Sequence, residues 1–437
     1  MKRTGSPPRR QRGSVLIIVL WIALGLVAIT LYFANAMSSE LRASDNRVSA
    51  LVADQAIEGA ARYVASVLTE QATNGFVPYV TDYANEAVLV GNAHFWLIGR
   101  DPGHGTPNQI AFGLVDEGSK LNLNNTNVNA AMLELLPRMT PALAAAIVDW
   151  RDADSTITAN GAESETYGRL RPPYLCKNAP FDSVDELRLV AGAEMDLLLG
   201  EDVNRNGILD PNEIDENRDG VANPGLLEYV TVYSREPNTR SDGSPRIRIS
   251  DRAQLQLLLT QAFNAARANQ VSNRLAGPLP SPRSPLEFYL RSGLTAEEFA
   301  QIETEITTAS GPIIEGRVNV NTASVAVLAC LVGDDKAQQL VDYRLANTVS
   351  GDSVAWVTKV LSRAEAIQAG PMLTGQSYQF SADIAALGPF GRGYRRTRFV
   401  FDLSEGAPKI IYRQNLGHLG WALGRETRQT WLAKSTP

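Results

Sequence analysis

Residues Ser14–Ala36 constrain everything that follows: SVLIIVLWIALGLVAITLYFANA has no charge and one glycine, Gly25, and it directly follows a basic leader, MKRTGSPPRRQRG. At 1.5 Å per residue, Val15–Phe33 makes a helix of roughly 28 Å, enough to cross a bilayer's hydrocarbon core. A secretory signal would place a small-residue cleavage site after its apolar run. Here the chain continues as SSELRASDNRVSALVADQAIEGAARYVASVL, without proline and with only Gly59 to interrupt it. Leu41, Val48, Val52, Ala56, Gly59, Tyr63 and Val67 recur at helical spacing, so a single helix on the order of 80 Å is predicted. It starts in a membrane and ends as an amphipathic stem against a globular body. Lys2, Arg3, Arg9, Arg10 and Arg12 precede the apolar run and the far flank is nearly balanced, which keeps the N-terminus cytoplasmic and exports the body. A plain single-pass anchor satisfies these features equally well.

The composition fits an exported, anchored protein. The 437 residues suffice for two or three domains beyond the anchor. The formal charge is −6, and without the leader 36 basic residues face 47 acidic ones. An acidic body argues against nucleic acid as the main partner. Cys176 and Cys330 either pair in an oxidising compartment or remain buried thiols, and spacing does not choose between these. Only three histidines exist, His94, His104 and His418, so zinc chemistry and serine or cysteine triads have little material. GPFGRG (Gly388–Gly393) sits between two predicted strands instead of opening a helix, unlike a phosphate loop. No catalytic residue is assigned and no enzyme is expected.

AHFWLIGRD (Ala93–Asp101) and QIAFGLVDEGSKLNLN (Gln109–Asn124) read as strands joined by the turn PGHGTPN, where His104 is a turn residue. SYQFSADIAAL (Ser377–Leu387), YRRTRFVFDLS (Tyr394–Ser404) and PKIIYRQNL (Pro408–Leu416) alternate and are separated by glycine-rich turns. These five runs predict one antiparallel sheet packed on the stem. The fold class is therefore α+β: a long N-terminal transmembrane helix, an antiparallel sheet, and a large, mostly α-helical domain inserted between sheet strands. The predicted boundaries are a leader at 1–13, the transmembrane and stem helix at 14–70, the first part of the sheet domain at 71–124, the insert at 125–372, and the second part with its tail at 373–437.

The insert contains a repeat. Lys120–Asp152 and Arg317–Arg344 share an asparagine-rich entry, an apolar helix, a tight turn and a second helix ending in Asp-aromatic-Arg. Thr322 is the expected cap of the helix that follows it. Phe181–Gly200 and Ser284–Glu303 each read as a short helix, a glycine turn and another helix. The second copy of the repeat resembles the helix-hairpin-helix units of competence DNA receptors. In DNA-binding versions, a glycine-rich hairpin offers backbone N–H groups to a phosphate. The hairpins here read VGDDKA and PRMTPA; Asp334 and Asp335 would repel phosphate, which favours packing units and makes nucleic acid an unlikely partner.

Metal binding is the chemistry most clearly written in the chain. From Asp202, the residues Asp202, Asn204, Asn206, Ile208, Asp210 and Glu213 place oxygen donors at alternate positions, with Gly207 for the sharp turn and an acid at the twelfth place. A hard cation needs six to eight oxygens, and a curled loop supplies them, Ile208 through its carbonyl. Asp215, Asn217, Asp219 and Val221 begin a second loop around Gly220. Its twelfth residue is Leu226, so Asn223 or Glu228 would have to complete it. The expected cofactor is calcium, stiffening an exposed lobe. The acidic cluster of Asp149, Asp152, Asp154 and Glu163 is either a further site or a helix end followed by a solvated loop.

The junction carries a resemblance. A short basic leader ending in Gly13, then Ser14 and an uninterrupted apolar helix, resembles the signal of type IV pilins and type II secretion pseudopilins. Ile18 stands where most of that family has glutamate, a departure shared with the K component of type II secretion, its largest minor pseudopilin. LVDEGSKLNLN, IVDWRDAD with NGAESETY, EYVTVYSRE and YQFSADI are similar to the text of that K family, and the resemblance covers nearly the whole chain. It implies cleavage between Gly13 and Ser14 by a prepilin peptidase with methylation of the new terminus, and a helical domain interrupting a pilin sheet and holding calcium. It also implies insertion in the bacterial inner membrane with a periplasmic body, and movement into the pseudopilus. There the chain would cap the filament and help initiate it, with the other minor pseudopilins and the inner-membrane assembly proteins as partners. The rival from another class is a membrane-anchored DNA-binding or competence pilus component.

Overall fold

The structure, a computed structural model, describes residues 14–72, 75–100, 109–277, 280–347 and 353–434. Gly13 and the turn bearing His104 lie outside the described residues. Helix α1 (Ser14–Gln71) is unbroken, as its sequence without proline dictates. Its apolar side chains from Val15 to Leu41 are exposed, whereas Ala53, Ala56, Ile57, Ala60, Ala61, Val64 and Leu68 are buried. Those positions follow the three-to-four residue period of one helix face, and the alanines let the backbone lie close to its neighbour. Among the described residues this is the one helix long and apolar enough to cross a membrane.

The buried face rests on a six-stranded antiparallel sheet. Its strands are β1 (Val88–Val90), β2 (Ala93–Ile98), β3 (Val115–Asp116), β4 (Gln379–Leu387), β5 (Arg395–Asp402) and β6 (Lys409–Asn415). The order is β1-β2-β4-β5-β6, with β3 pairing to the first part of β4. β2 and β4 are direct neighbours, Ile98 opposite Asp383 and His94 opposite Leu387.

Period-two alternation divides the two faces of this sheet. Phe95, Leu97, Phe380, Ala382, Ile384, Phe399 and Phe401 pack on α1. On the opposite face, Trp96, Ile98, Ala385 and Leu387 form a small cluster with Ala422 and Leu423, and Arg396, Arg398 and Asp402 lie buried beside it, with Asp383 half-buried among them. Burial of so many charges is the mark of a face that meets another part of the chain.

That part holds the largest core, running in sequence from Leu121 to Leu373 and including Leu133, Ile147, Trp150, Phe288, Leu328 and Leu340. The predicted strand Gln109–Asn124 is broken. β3 is followed by a 3-10 turn, Glu117–Ser119, and by a separate strand, Leu121–Asn122, which pairs in parallel with Val230–Thr231. The break occurs because Glu117 is wholly buried against the neighbouring Lys120 and the distant Arg398, which bends the backbone out of the ladder. The helical parts of the repeat are a short turn of helix, Ala130–Leu133, with α2 (Pro141–Arg151) in the first copy, and α3 (Val325–Val332) with α4 (Asp334–Ala346) in the second. Ser324, not Thr322, caps α3 by accepting from the Val327 N–H. The Thr322 hydroxyl donates to Asp116, a buried carboxylate that recruits every nearby donor. Cys176 and Cys330 are both buried and free.

Candidate functional site

The first loop curls as its spacing requires. Asp202 is 2% exposed, Asn204 4% and Asn206 0%; Asp210 is buried and Glu213 half-buried. Asp202 accepts from the N–H groups of Asn206 (2.8 Å) and Gly207 (2.9 Å), and Gly207 takes φ +82°. Asn206 Oδ1 accepts from the Ile208 N–H at 3.0 Å. Glu213, at the twelfth position, spans the loop, accepting from the N–H groups of Asn204 (3.1 Å) and Asp210 (2.9 Å). Burial, with Asp202 and Asp210 close by, holds its carboxyl above the usual range.

Among the described residues, no group of three or more His, Cys, Asp or Glu side chains is gathered as a metal cluster. The loop is instead a mixed set of carboxylate and amide oxygens. Its centre is bridged by the Asn204 and Asn206 amides, both donating to Asp210 Oδ2 (2.6 and 2.9 Å), while the buried Asn204 Oδ1 has no hydrogen-bond partner. An unpaired buried acceptor surrounded by carboxylates fits a cation such as calcium.

The loop is not on an exposed lobe; it sits against the charged face of the sheet, where buried arginines provide donors. The Arg396 guanidinium, 0% exposed, pairs with Asp383 and donates to the carbonyls of Asn204 (2.5 Å) and Arg205 (2.8 Å). Arg100, just beyond β2, donates to the same Arg205 carbonyl at 2.9 Å, lies 3.7 Å from Asp202 and pairs with Glu228 at 2.9 Å. Arg205 takes φ +57° to present that carbonyl. Burial, with Arg398 and Arg100 nearby, pulls the Arg205 guanidinium down to about 10.

The second loop repeats two hydrogen bonds of the first, those to the N–H groups of Gly220 and Val221, and adds one at Asn217. Asp215 Oδ2 accepts from the Gly220 N–H (2.9 Å), Asn217 Oδ1 from that of Asp219 (3.0 Å) and Asp219 Oδ1 from that of Val221 (2.8 Å). Leu226 is buried in the core and Glu228 is committed to Arg100. The acid that spans this loop is Glu201, accepting from the N–H groups of Glu216 and Asn223, each at 2.9 Å. Spacing did not reveal Glu201, because it precedes the first loop, nor Arg100, just beyond β2, and Arg396, on β5, which are distant in sequence.

The cluster at the end of α2 is partly sealed. Asp149 is wholly buried and accepts from the Thr158 hydroxyl at 2.7 Å. Both oxygens of the buried Glu163 and Oδ1 of Asp152 lack hydrogen-bond partners, and burial raises both carboxyls above their ordinary values. Asp154 is exposed.

The repeat is a packing device. Arg151, ending α2, donates to the carbonyls of Leu123 and Val128, and Arg344, in α4, donates to those of Val320 and Ala323 (both 2.9 Å). Asn122 and Asn319 each accept from the N–H two residues on, at 2.8 and 2.9 Å. At the hairpins, Gly333 takes φ +82° with Asp334 and Asp335 exposed beside it, and Arg138 is held by Glu216 at 2.8 Å. Neither turn presents a free basic surface to phosphate.

Comparison with known proteins supplies a context. Residues 114–199 match the family model described as type II secretion system (T2SS), protein K. The type II secretion system protein K of Pectobacterium carotovorum subsp. carotovorum is 27% identical over 200 residues, 43% of this chain and 60% of that protein. That of Aeromonas hydrophila is 28% identical over 218 residues, 42% of this chain and 60% of that protein. The Klebsiella pneumoniae protein of the same name is 48% identical over 52 residues, 12% of this chain and 16% of that protein. The chain thus spans about 60% of the length of the first of these relatives. A chain in the crystal structure of the GspK–GspI–GspJ complex of enterotoxigenic Escherichia coli aligns with TM-score 0.43 and 12% identity, over 86% of this chain and 99% of that one. The family model and the named relatives bear out the resemblance to protein K.

Proposed function

We propose that this chain is the K-type minor pseudopilin of a type II secretion system, a tip subunit that caps the pseudopilus and helps initiate it. The observation that carries this reading is α1: an exposed apolar half continuous with a half packed on an antiparallel sheet, in a chain whose residues 114–199 match protein K. The apolar half anchors the protein in the inner membrane, with the basic leader cytoplasmic and the body periplasmic. Cleavage between Gly13 and Ser14 by prepilin peptidase would free the helix to pack with those of other minor pseudopilins, assisted by inner-membrane assembly proteins. The bulk of the insert leaves no room for another subunit above it, and its role is structural, not catalytic.

Calcium would be held by Asp202, Asn204, Asn206, Ile208, Asp210 and Glu213, and in the second loop by Asp215, Asn217, Asp219 and Val221. When bound, calcium supplies a fixed positive centre that neutralises and orders these oxygens. The orphaned Asn204 Oδ1 supports the first of these assignments.

The mature N-terminus tests the function. Mass spectrometry of membrane protein from cells with and without prepilin peptidase is expected to find methylated Ser14 only where the peptidase is present. Met1 retained in both would return α1 to a simple anchor.

A further inference from the structure

We infer that Arg396, a residue of the sheet, and Arg100, just beyond β2, set the cation affinity of the first loop, Arg396 as a positioning residue and Arg100 as a resident competitor. The inference rests on the calcium reading of that loop.

The geometry is specific. The loop runs from Asp202 to Glu213, and the backbone between its first three side-chain donors is gripped from outside. Arg396 donates to the carbonyls of Asn204 and Arg205, and Arg100 donates to that of Arg205. Asn204 is also tied to the chain's later part, its amide donating to the Trp421 carbonyl at 3.3 Å. These contacts hold the curl in which Asn204 and Asn206 face Asp210. Arg396 is itself held by Asp383 across the β4–β5 ladder, so the rigid sheet fixes where the loop's carbonyls stand. The Arg396 guanidinium makes four hydrogen bonds in a fixed fork, two to Asp383 and one to each carbonyl, whereas an ammonium has three donors and no fork.

Arg100 acts with the opposite sign. Its guanidinium lies 3.7 Å from Asp202, the first donor of the loop, and a cation arriving there meets that charge. Glu228, already paired with Arg100, keeps the guanidinium neutralised when Asp202 turns to a metal. Binding and seating are therefore linked: what helps the sheet hold the loop helps the loop hold its ion, and the ion in turn protects the sheet.

Calcium titration calorimetry on the full chain in detergent, after chelator treatment, tests this with R396K and R100Q. R396K is expected to weaken calcium binding on the order of tenfold, and R100Q to tighten it by several-fold. A residue that merely supported the fold would not move the two variants in opposite directions. If wild-type protein binds calcium and both variants match it, the inference fails while the calcium reading stands. If wild-type protein binds none at millimolar calcium, both fall. Should R396K not fold, hydrogen exchange on wild-type protein decides: calcium must add protection at residues 395–398 as well as in the loop, and protection confined to the loop overturns the inference.

Discussion

The Arg398 guanidinium donates to Glu117 at 2.6 Å across 281 residues of sequence, joining β5 to the turn that follows β3. Glu117 is 0% exposed and also faces Lys120 at 3.6 Å and the Thr231 hydroxyl. Burial opposes its ionisation, but Lys120 and Arg398 outweigh it and hold the carboxyl at about 2. A lowered folded value contributes stability that is complete above the ordinary range near 4.5 and is lost as pH falls toward 2. Glu117→Gln is expected to cost roughly 3 kcal/mol at pH 7 and to flatten the acid limb of urea unfolding between pH 4.5 and 2.

Asp116, its neighbour, has the opposite sign. Burial raises its carboxyl to about 6, although Thr322, Ser377 and the Gly118 N–H all donate to it. A raised folded value contributes stability that is complete below about pH 4 and is lost as pH rises through 6. Between pH 4 and 7 the stability difference between wild type and Asp116→Asn is expected to move in the variant's favour by about 2–3 kcal/mol, read from urea midpoints.

Arg151 and Arg344 do the same work in the two copies of the repeat, so their loss should be comparable. Replacing either with methionine leaves two carbonyls without a charged donor, and each change is expected to cost about 1.5–3 kcal/mol in chemical unfolding. A large effect at one position and none at the other would show that the copies are alike only in sequence.

Cys176 and Cys330 sit apart in the core as free thiols, and burial pushes them up to about 11 and about 12. Thiols so protonated and enclosed react slowly. Neither is expected to take up an alkylating reagent in native protein without reductant. Both are expected to do so in denaturant, with the two mass increments read on the intact chain.

Gly225 lies where two backbones touch: a Cβ there would stand 2.4 Å from the Leu198 carbonyl and 2.5 Å from the Gly200 N. Both contacts are to main chain, which cannot rotate away. Gly225→Ala is expected to destabilise the region around both loops by at least about 2 kcal/mol, seen as faster hydrogen exchange at residues 198–226.

What could be read in the chain beforehand was what repeats locally. The period of α1 and the alternation of β4 and β5 showed both the elements and their buried faces, because each residue's neighbour in space is also close in sequence. The curl of the loop from Asp202 to Glu213 was legible for the same reason. The break at Glu117 was not, since its cause lies at Lys120, Thr231 and Arg398, two of them more than a hundred residues away. Thr322 read as a cap because capping is a local rule, and Ser324 won that place once Asp116 had claimed the threonine hydroxyl. The seat of the loop depends on Arg100 and Arg396, which in sequence are unremarkable arginines in or beside strands.

The adjacency of β2 and β4 also imposes an order in time. When Ile98 is made, its partner Asp383 is hundreds of residues from existing, so the apolar face of the stem and the inner edge of β2 wait uncovered through most of synthesis. Closing so long a loop from an unstructured chain is slow. A collapsed insert shortens it, because Asp116 and Ser377, at 2.7 Å, hold the two ends of the intervening chain together. Assembly should therefore run from the middle outward, with the sheet completed last and the stem exposed to rescue or capture until it is.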